Sequence, residues 1–266
     1  MEIKPFIDMS SEEHVPNGAM CPTNYEDNFW KTKLSYSDLE NLENHCGIHI
    51  SLNLFGYRCK HTLPFNGDYA IAIGCSHTYG TALEEKYRYS NLVEDTLNFP
   101  VFNLGVQGGA PGLVKDNLFQ LFFYLEKYNI KKPKLIIIQW PIFLRLWFGI
   151  HFSLSNWNPF AKKYLNKNEY MKDSNIKKIE KHNFMNYDHV NFLCQNNKIK
   201  KIEFSVSLVN SYNVLTCSYN ERNVGKKGFE KDIIKSFKPH IDLAKDGEHP
   251  GKETNKLIHD YIIKQL

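Results

Sequence analysis

The chain has 266 residues, which is long for one small domain and short for two, so we expect one domain with insertions. Hydrophobic residues make up 42% and aromatic residues 14%, enough to build a full core, which excludes an intrinsically disordered chain. The formal net charge is only +4. A charge this mild requires neither nucleic acid nor a membrane surface, and we predict no nucleic-acid partner.

Short apolar runs that end at a glycine or a polar residue indicate strands buried on both faces, as in parallel sheets. Three runs are clear, at residues 69–74, 100–105 and 134–139, and residues 213–218 form a fourth candidate. Amphipathic segments lie between them, at 90–97, from Pro111 to 128 and at 257–262. The alternation of strands and helices predicts an α/β fold with a mostly parallel sheet, covered by helices on both sides.

The two remaining stretches have a different composition. Residues 1–65 lack clear periodicity, and we expect an N-terminal arm that lies on a core spanning 66–266. Residues 151–201 are rich in Lys and Asn, with ten Lys against four acidic residues from 161 to 201. We interpret this stretch as an exposed insertion with a solvated helical face, and a binding site for an anionic polymer or partner is the alternative.

Signals for export, membrane insertion and metal binding are not found. The first 18 residues have no apolar segment typical of a signal peptide, and no run approaches the roughly 20 apolar residues of a membrane helix. We therefore expect no membrane span, and a location that is cytoplasmic or not specified by the sequence. The six cysteines form no CxxC pair and no other metal-like spacing, so we expect no metal site. Without an export signal we expect their thiols to be reduced and buried, and we predict no cofactor.

A serine follows the first predicted strand in the segment Gly74-Cys75-Ser76. Ligand sites of open α/β sheets lie at the carboxyl ends of the strands, so a serine here can face a substrate. The backbone N–H groups of the turn can point at a developing oxyanion. A serine that merely caps the next helix is the alternative.

Two further segments are able to reach the same edge. Asp246 and His249 lie three residues apart before the last helix, where His249 can take a proton from a serine while Asp246 orients the imidazole. Residues 103–111 carry a strand into a glycine-rich loop, whose backbone can approach a ligand closely. A surface histidine and a tight turn are the respective alternatives.

Together the three segments resemble the SGNH hydrolases, also called GDSL lipases and esterases. Gly74–Ser76 matches the family's first block, Asn103–Gly108 its second and Asp246–Pro250 its last, so that the resemblance extends over about 68–262. The resemblance implies a three-layer α/β/α flavodoxin-like sandwich. It also implies a catalytic triad whose nucleophile is Ser76, whose base is His249 and whose orienting acid is Asp246.

By the same resemblance, the N–H groups of Ser76 and Gly108 form the oxyanion hole. Two departures from the family's pattern stand out. Cys75 replaces the usual Asp of the first block, and the third block lacks its oxyanion Asn, for which we hypothesise Gln139 as a substitute donor. We also predict that His77, Trp140 and Arg145 contact the substrate.

The resemblance thus predicts a serine esterase or acyl hydrolase that acts on a small-molecule or carbohydrate ester, such as an O-acetylated sugar. A non-catalytic glycan- or partner-binding domain on the same fold is one alternative, favoured by the missing Asn. An O-acyltransferase is another, because hydrolysis and transfer share one acyl-enzyme. The sequence gives no prediction of the oligomeric state.

Overall fold

A computed structural model describes the core of the chain and several shorter segments. The described residues are 42–43, 48–50, 53, 57–61, 67–107, 109–141, 146–147, 151–152, 173–206, 235–237, 242–247 and 249–266. The strands are β1 (Leu42–Glu43), β2 (His49–Ile50), β3 (Ala70–Gly74), β4 (Val101–Gly105), β5 (Leu135–Trp140), β6 (Leu146–Trp147), β7 (His151–Phe152), β8 (Lys200–Val206) and β9 (Lys235–Phe237). The helices are α1 (Ser76–Tyr79), α2 (Tyr89–Leu97), α3 (Pro111–Lys127), α4 (Asp173–Asn196) and α5 (Lys252–Lys264), and Glu85–Tyr87 forms a 3-10 turn.

The central sheet has five parallel strands in the order β4-β3-β5-β8-β9. Gly74 at the end of β3 is paired with Gly105 at the end of β4, and Ile73 is paired with Ile138 of β5. The carboxyl ends of these three strands therefore meet at one edge. The short strands form two separate antiparallel pairs, β1 with β2 and β6 with β7.

Helices cover both faces of the sheet. Alternate side chains of a strand point to opposite faces, and in β5 Ile136 and Ile138 face α3 and α4, whereas Leu135 and Ile137 face α2 and α5. This arrangement confirms the predicted α/β fold with a parallel sheet between two helical layers. Burial of the apolar side chains on both faces is the main stabilising contribution to such a core.

The three strong strand predictions and the three helix predictions are confirmed as β3, β4, β5, α2, α3 and α5. The fourth strand candidate, residues 213–218, lies outside the described residues. The neighbour of β5 is instead β8, which the sequence did not predict as a strand. In β8 buried Ile202 and Phe204 alternate with partly exposed Lys201 and Glu203, so the strand lacks the continuous apolar run expected inside a parallel sheet.

Part of the Lys- and Asn-rich stretch is a layer of the core. The described portion from 173 to 196 is helix α4, and it buries Tyr187, Val190 and Cys194 against the sheet and α3. Lys178 and Lys181 are exposed on the same helix. The stretch therefore combines the expected solvated basic face with an apolar face that the expectation of an exposed insertion did not include.

Residues 57–61 of the N-terminal segment cover the edge of the sheet beside β4. The thiol of Cys59 accepts a hydrogen bond from the Asn103 N–H, at 3.4 Å, and lies 3.9 Å from the Val101 carbonyl oxygen. The backbone of an edge strand needs such partners, because its outer N–H and C=O groups have no neighbouring strand. The three described cysteines, Cys59, Cys75 and Cys194, are buried free thiols.

A charged cluster contacts Val101, the first residue of β4. Glu94 accepts hydrogen bonds from His61 Nε2, at 2.8 Å, and from the Val101 N–H, at 2.9 Å, and it pairs with Lys60. Burial on its own raises the pKa of Glu94, but these partners outweigh it and lower the pKa from 4.5 to about 2. The deprotonated form of Glu94 is therefore more strongly favoured in the folded chain than in the unfolded chain.

We therefore expect Glu94→Gln to remove a pH-dependent stabilisation. A carboxyl group whose pKa is depressed by folding stabilises the folded state fully above pH 4.5 and loses this contribution as the pH falls towards about 2. The difference corresponds to at most about 3 kcal/mol. Urea unfolding of both proteins should give a stability gap that is largest near neutral pH and narrows steadily in acid. A gap that is independent of pH would contradict this role of Glu94.

No helix in the described part of the chain combines the length and the apolar character needed to cross a membrane.

Candidate active site

Ser76 is the first residue of α1, directly after the turn that ends β3. The turn is tight because Gly74 lies against the end of β5. A Cβ atom at Gly74 would lie 2.7 Å from the carbonyl oxygen of Gln139 and 2.8 Å from its side-chain oxygen. Only glycine allows this close approach. Gly74 therefore determines the position of Ser76 relative to the end of β3.

The second glycine at this edge is Gly105, whose missing side chain leaves space for the backbone of α1. A Cβ atom at Gly105 would collide with the backbone of Thr78 and Tyr79. The next residue, Val106, donates its N–H to the Gly74 carbonyl oxygen at 3.1 Å. The loop after β4 therefore lies directly against the turn that carries Ser76.

Asn103 holds α1 on the end of β4. Its side-chain nitrogen donates to the Thr78 carbonyl oxygen, at 2.7 Å, and to Ser90 Oγ, at 3.1 Å, and its side-chain oxygen accepts the Gly105 N–H at 2.9 Å. Both polar atoms of this buried amide are thereby satisfied, and its contact with Thr78 holds α1 against the end of β4.

Gln139 does not have the geometry that we hypothesised for an oxyanion donor. Its side-chain oxygen accepts the Cys75 N–H and the Cys75 thiol, each at 3.0 Å, and its side-chain nitrogen donates to the Trp140 carbonyl oxygen at 2.8 Å. Because the backbone N–H of Cys75 can only donate, the carbonyl oxygen of the amide must face it. Gln139 is buried, and its amide holds the backbone of Cys75, the residue before Ser76.

We expect Gln139→Met to destabilise the fold, because the substitution keeps the side-chain volume but leaves the buried Cys75 N–H without its acceptor. The cost of such an unmade hydrogen bond is about 1–3 kcal/mol. Chemical denaturation should measure this loss, with Gln120→Met on the exposed face of α3 as the matched control. A Gln139→Met protein as stable as this control would show that the buried amide does not hold the turn.

Trp140 is part of the buried core and is not the substrate contact that we predicted. It is 1% exposed, its indole N–H donates to Glu203 at 3.0 Å, and its ring lies 5.1 Å from the ring of Tyr187. Its side chain points to the α3 and α4 face of the sheet because it alternates with Gln139 along β5. The other two predicted contacts at this edge, Gly108 and Arg145, lie outside the described residues.

Asp246 and His249 form a hydrogen-bonded pair. The carboxylate oxygen Oδ2 of Asp246 lies 2.6 Å from Nδ1 of His249, and Oδ1 accepts the backbone N–H of His249 at 3.1 Å. Both side chains are mostly buried. A carboxylate at Nδ1 fixes the proton on that nitrogen and leaves Nε2 as the acceptor, which is the tautomer a general base needs.

The loop that carries the pair is closed by its own backbone. The Ala244 N–H donates to the His249 carbonyl oxygen at 2.8 Å, and Leu243 forms an isolated bridge with Pro250. Gly247 has φ +71° within the loop, a conformation that favours glycine. The spacing of three between Asp246 and His249 therefore results from a tight turn that brings the two side chains to the same side.

This loop is joined to the loop that follows α1. The Lys245 N–H donates to the Ala82 carbonyl oxygen at 3.2 Å, and Ala82 forms a small buried cluster with Leu83 and Ala244. The rings of His249 and His77 make an edge contact with centroids 5.7 Å apart. Because His77 is the neighbour of Ser76, the imidazole of the pair lies beside the first turn of α1.

The hydroxyl of Ser76 is buried in this arrangement, with the residue only 3% exposed. Among the described residues, its polar contact is the Cys75 thiol, at 4.0 Å, and it forms no hydrogen bond with His249. Hydrogen bonds between catalytic groups are often long until a substrate is bound. Direct reach between Ser76 Oγ and the imidazole therefore stays a prediction. The described residues include no group of three or more His, Cys, Asp or Glu side chains that could hold a metal ion.

No family model and no curated protein matches the chain. Among solved structures, it is similar to the psychrotrophic esterase EstA from Pseudoalteromonas sp., at 13% identity over 74% of this chain and 96% of that one, with a TM-score of 0.40. It is also similar to the acetyl xylan esterase Est2A from the rumen bacterium Butyrivibrio proteoclasticus, at 14% identity over 77% of this chain and 66% of that one, with a TM-score of 0.41. A lipolytic protein of the G-D-S-L family from Veillonella parvula DSM 2008 matches at 12% identity over 74% of this chain and 97% of that one, with a TM-score of 0.32. Likeness this distant leaves the function to be inferred from the site itself.

Proposed function

We propose that the protein is a serine esterase in which Ser76 is the nucleophile, His249 the general base and Asp246 the residue that orients the base. The observation that carries the proposal is the 2.6 Å contact between Asp246 and His249 Nδ1. This pair lies on a loop that is hydrogen-bonded to the loop after α1, the helix that begins at Ser76. The three residues have the types and the order of roles that covalent ester cleavage requires.

In the proposed reaction, Nε2 of His249 takes the hydroxyl proton of Ser76 while Oγ attacks the ester carbonyl carbon. Asp246 stabilises the resulting imidazolium through its contact with Nδ1. The tetrahedral oxyanion would accept hydrogen bonds from backbone N–H groups, and we propose those of Ser76 and Gly108. Collapse of the intermediate breaks the bond to the alkoxy group, which leaves as an alcohol with the proton from His249. Water then repeats the sequence on the acyl-enzyme and releases the acid.

A short acyl group fits this proposal best. Ser76 and His77 are both less than 10% exposed, and the loop after β4 lies close behind them, because a Cβ atom at Gly109 would lie 3.3 Å from the Cys75 Cα. A long acyl chain would need open apolar space at this point. We therefore propose a small ester as substrate, with an O-acetyl group on a carbohydrate as the favoured case.

The test is turnover of p-nitrophenyl esters of increasing chain length by the purified full chain, followed by assay of acetate release from an O-acetylated oligosaccharide. We expect the acetate ester to be cleaved with a higher kcat/KM than the octanoate. Absence of turnover with every ester would refute the proposed activity.

A non-catalytic binding domain is the second candidate, and one observation favours it. Gln139 uses its amide to support the turn, and no Asn follows β5 closely to donate in its place. Loss of one oxyanion donor typically lowers kcat by about 10²- to 10³-fold. Calorimetric binding of the acetylated oligosaccharide without release of acetate would support this candidate.

Release of an acetylated alcohol in the presence of an added alcohol would instead indicate acyl transfer.

A further inference from the structure

Arg58 is a fully buried arginine in the N-terminal segment, at 0% exposure. Its guanidinium donates to the carbonyl oxygens of Gly80 and Leu83, the latter at 2.8 Å, and lies 5.6 Å from the ring centre of Tyr79. Burial and the neighbouring charge of Arg88 lower the pKa of Arg58 to about 10, so the side chain remains charged at neutral pH. A buried charge is costly for a fold unless hydrogen bonds compensate it.

A second buried arginine completes this support. Arg88 donates to the Arg58 carbonyl oxygen at 2.7 Å, and Glu85 lies 3.3 Å from Arg88 and 3.8 Å from Arg58. The single carboxylate is thus shared between two guanidinium groups. The cluster connects the N-terminal segment, the end of α1 and the 3-10 turn through hydrogen bonds and ion pairs.

The carbonyl groups that Arg58 holds belong to residues 80–83, the loop that ends α1. This loop is conformationally unusual, because Gly80 has φ +76° and Ala82, which is not glycine, has φ +55°. A left-handed conformation at an alanine costs about 1 kcal/mol or more and persists only where the surroundings enforce it. Arg58 supplies two of the hydrogen bonds that do so.

The same loop is also the contact to the Asp246–His249 pair. The Ala82 carbonyl oxygen accepts the Lys245 N–H at 3.2 Å, and the side chains of Ala82 and Leu83 are buried against Ala244. The N–H groups of Gly80 and Thr81 also donate to the Ser76 carbonyl oxygen, at 2.9 and 3.1 Å, so this loop contacts both the first residue of α1 and the loop of His249. A shift of residues 80–83 would change the distance between the nucleophile and the base.

We propose that Arg58 is a positioning residue of the active site, which sets the relative placement of Ser76 and His249 by fixing the loop between them. This inference rests on the proposed function. It assigns to the N-terminal segment, which lies outside the motifs of the core, a part in the reaction.

Arg58→Lys tests the inference, since lysine keeps the charge but lacks the planar fork that reaches two carbonyl oxygens at once. Misplacement of reacting groups by an ångström can lower a rate by about 10²-fold, so we expect a fall in kcat of at least about tenfold. KM should stay within about twofold, because Arg58 does not contact the substrate. Asp68→Asn serves as the control, since it removes a charge that pairs with Lys131 and Lys134 just before β3, outside the segment that carries Arg58, and it should keep the wild-type kcat.

The results separate the possible failures. Wild-type protein without esterase activity refutes the proposed function, whatever the variant does. Active wild type with a folded Arg58→Lys protein whose kcat lies within twofold of the Asp68→Asn control overturns the role of Arg58. A loss of kcat of at least tenfold in a folded Arg58→Lys protein with an unchanged KM supports it.

If Arg58→Lys does not fold, Ala82→Gly takes its place. Glycine accepts the φ of +55° without strain but lacks the methyl group that packs on Ala244. We expect a lower kcat with an unchanged KM from this loosened contact. Wild-type kcat in Ala82→Gly would contradict the transmission of position through this loop.

Discussion

Replacing Ser76 with alanine is expected to lower kcat for p-nitrophenyl acetate by at least about 10³-fold, and His249→Ala should have nearly the same effect. Members of a catalytic unit act together, so removal of either one costs about as much as removal of both. The double variant should therefore be no slower than either single variant. Steady-state kinetics of the three proteins measures this non-additivity directly.

Thr96→Ala is the control for these variants, because it removes a hydroxyl from α2, where Thr96 contacts the Leu92 carbonyl oxygen and His259. Its turnover should equal that of the wild type. If Ser76→Ala retained wild-type turnover, covalent catalysis by this serine would be excluded. If the losses in the single variants multiplied in the double variant, the two residues would act in separate steps.

The second large effect is expected from Asp246→Asn. The amide can still accept the His249 N–H through its oxygen, so the loop keeps its shape, but its NH₂ group then faces Nδ1. Nδ1 must become the acceptor and the proton moves to Nε2, which can no longer take a proton from Ser76. The wrong tautomer costs a serine hydrolase about 10⁴-fold in kcat, and we expect a loss of about 10³- to 10⁴-fold here.

The chain offers a matched control for this variant in an exposed pair. Asp260 Oδ1 lies 2.8 Å from His259 Nδ1 on α5, which is the same kind of carboxylate–imidazole contact as in the buried pair. Asp260→Asn should leave kcat unchanged. Thermal unfolding should show both variants folded. Turnover of Asp246→Asn within threefold of wild type would remove the carboxylate from the mechanism.

The sequence predicted those parts of the fold in which apolar periodicity decides the structure. β3, β4 and β5 are mainly apolar, and α3 begins at Pro111 with a buried face, so their existence and type followed from local pattern. β8 was missed because one of its faces is polar. There Glu203 accepts hydrogen bonds from Trp140 and Tyr187, which makes burial of the carboxylate acceptable. Such a partnership depends on three distant segments and leaves no local signal.

Only some of the contacts around the proposed site could be predicted from the sequence. The pairing of Asp246 with His249 could be foreseen because both lie on one tight loop. The direction of the Gln139 side chain could not, because it depends on whether Cys75 offers a donor beneath the turn. Arg58 gave no signal at all, since a lone arginine in a segment without periodicity looks like a surface residue. Its burial follows from carbonyl groups that only the folded loop presents.

The most direct measurement of the central claim is covalent labelling by a fluorophosphonate, which reacts with a serine only when a neighbouring base activates it. The full chain should be labelled at a single site, which peptide mass spectrometry should assign to Ser76. The label should be lost in Ser76→Ala and strongly slowed in His249→Ala and Asp246→Asn. Labelling of another residue, or equal labelling of wild type and His249→Ala, would contradict a nucleophile at Ser76 activated by the Asp246–His249 pair.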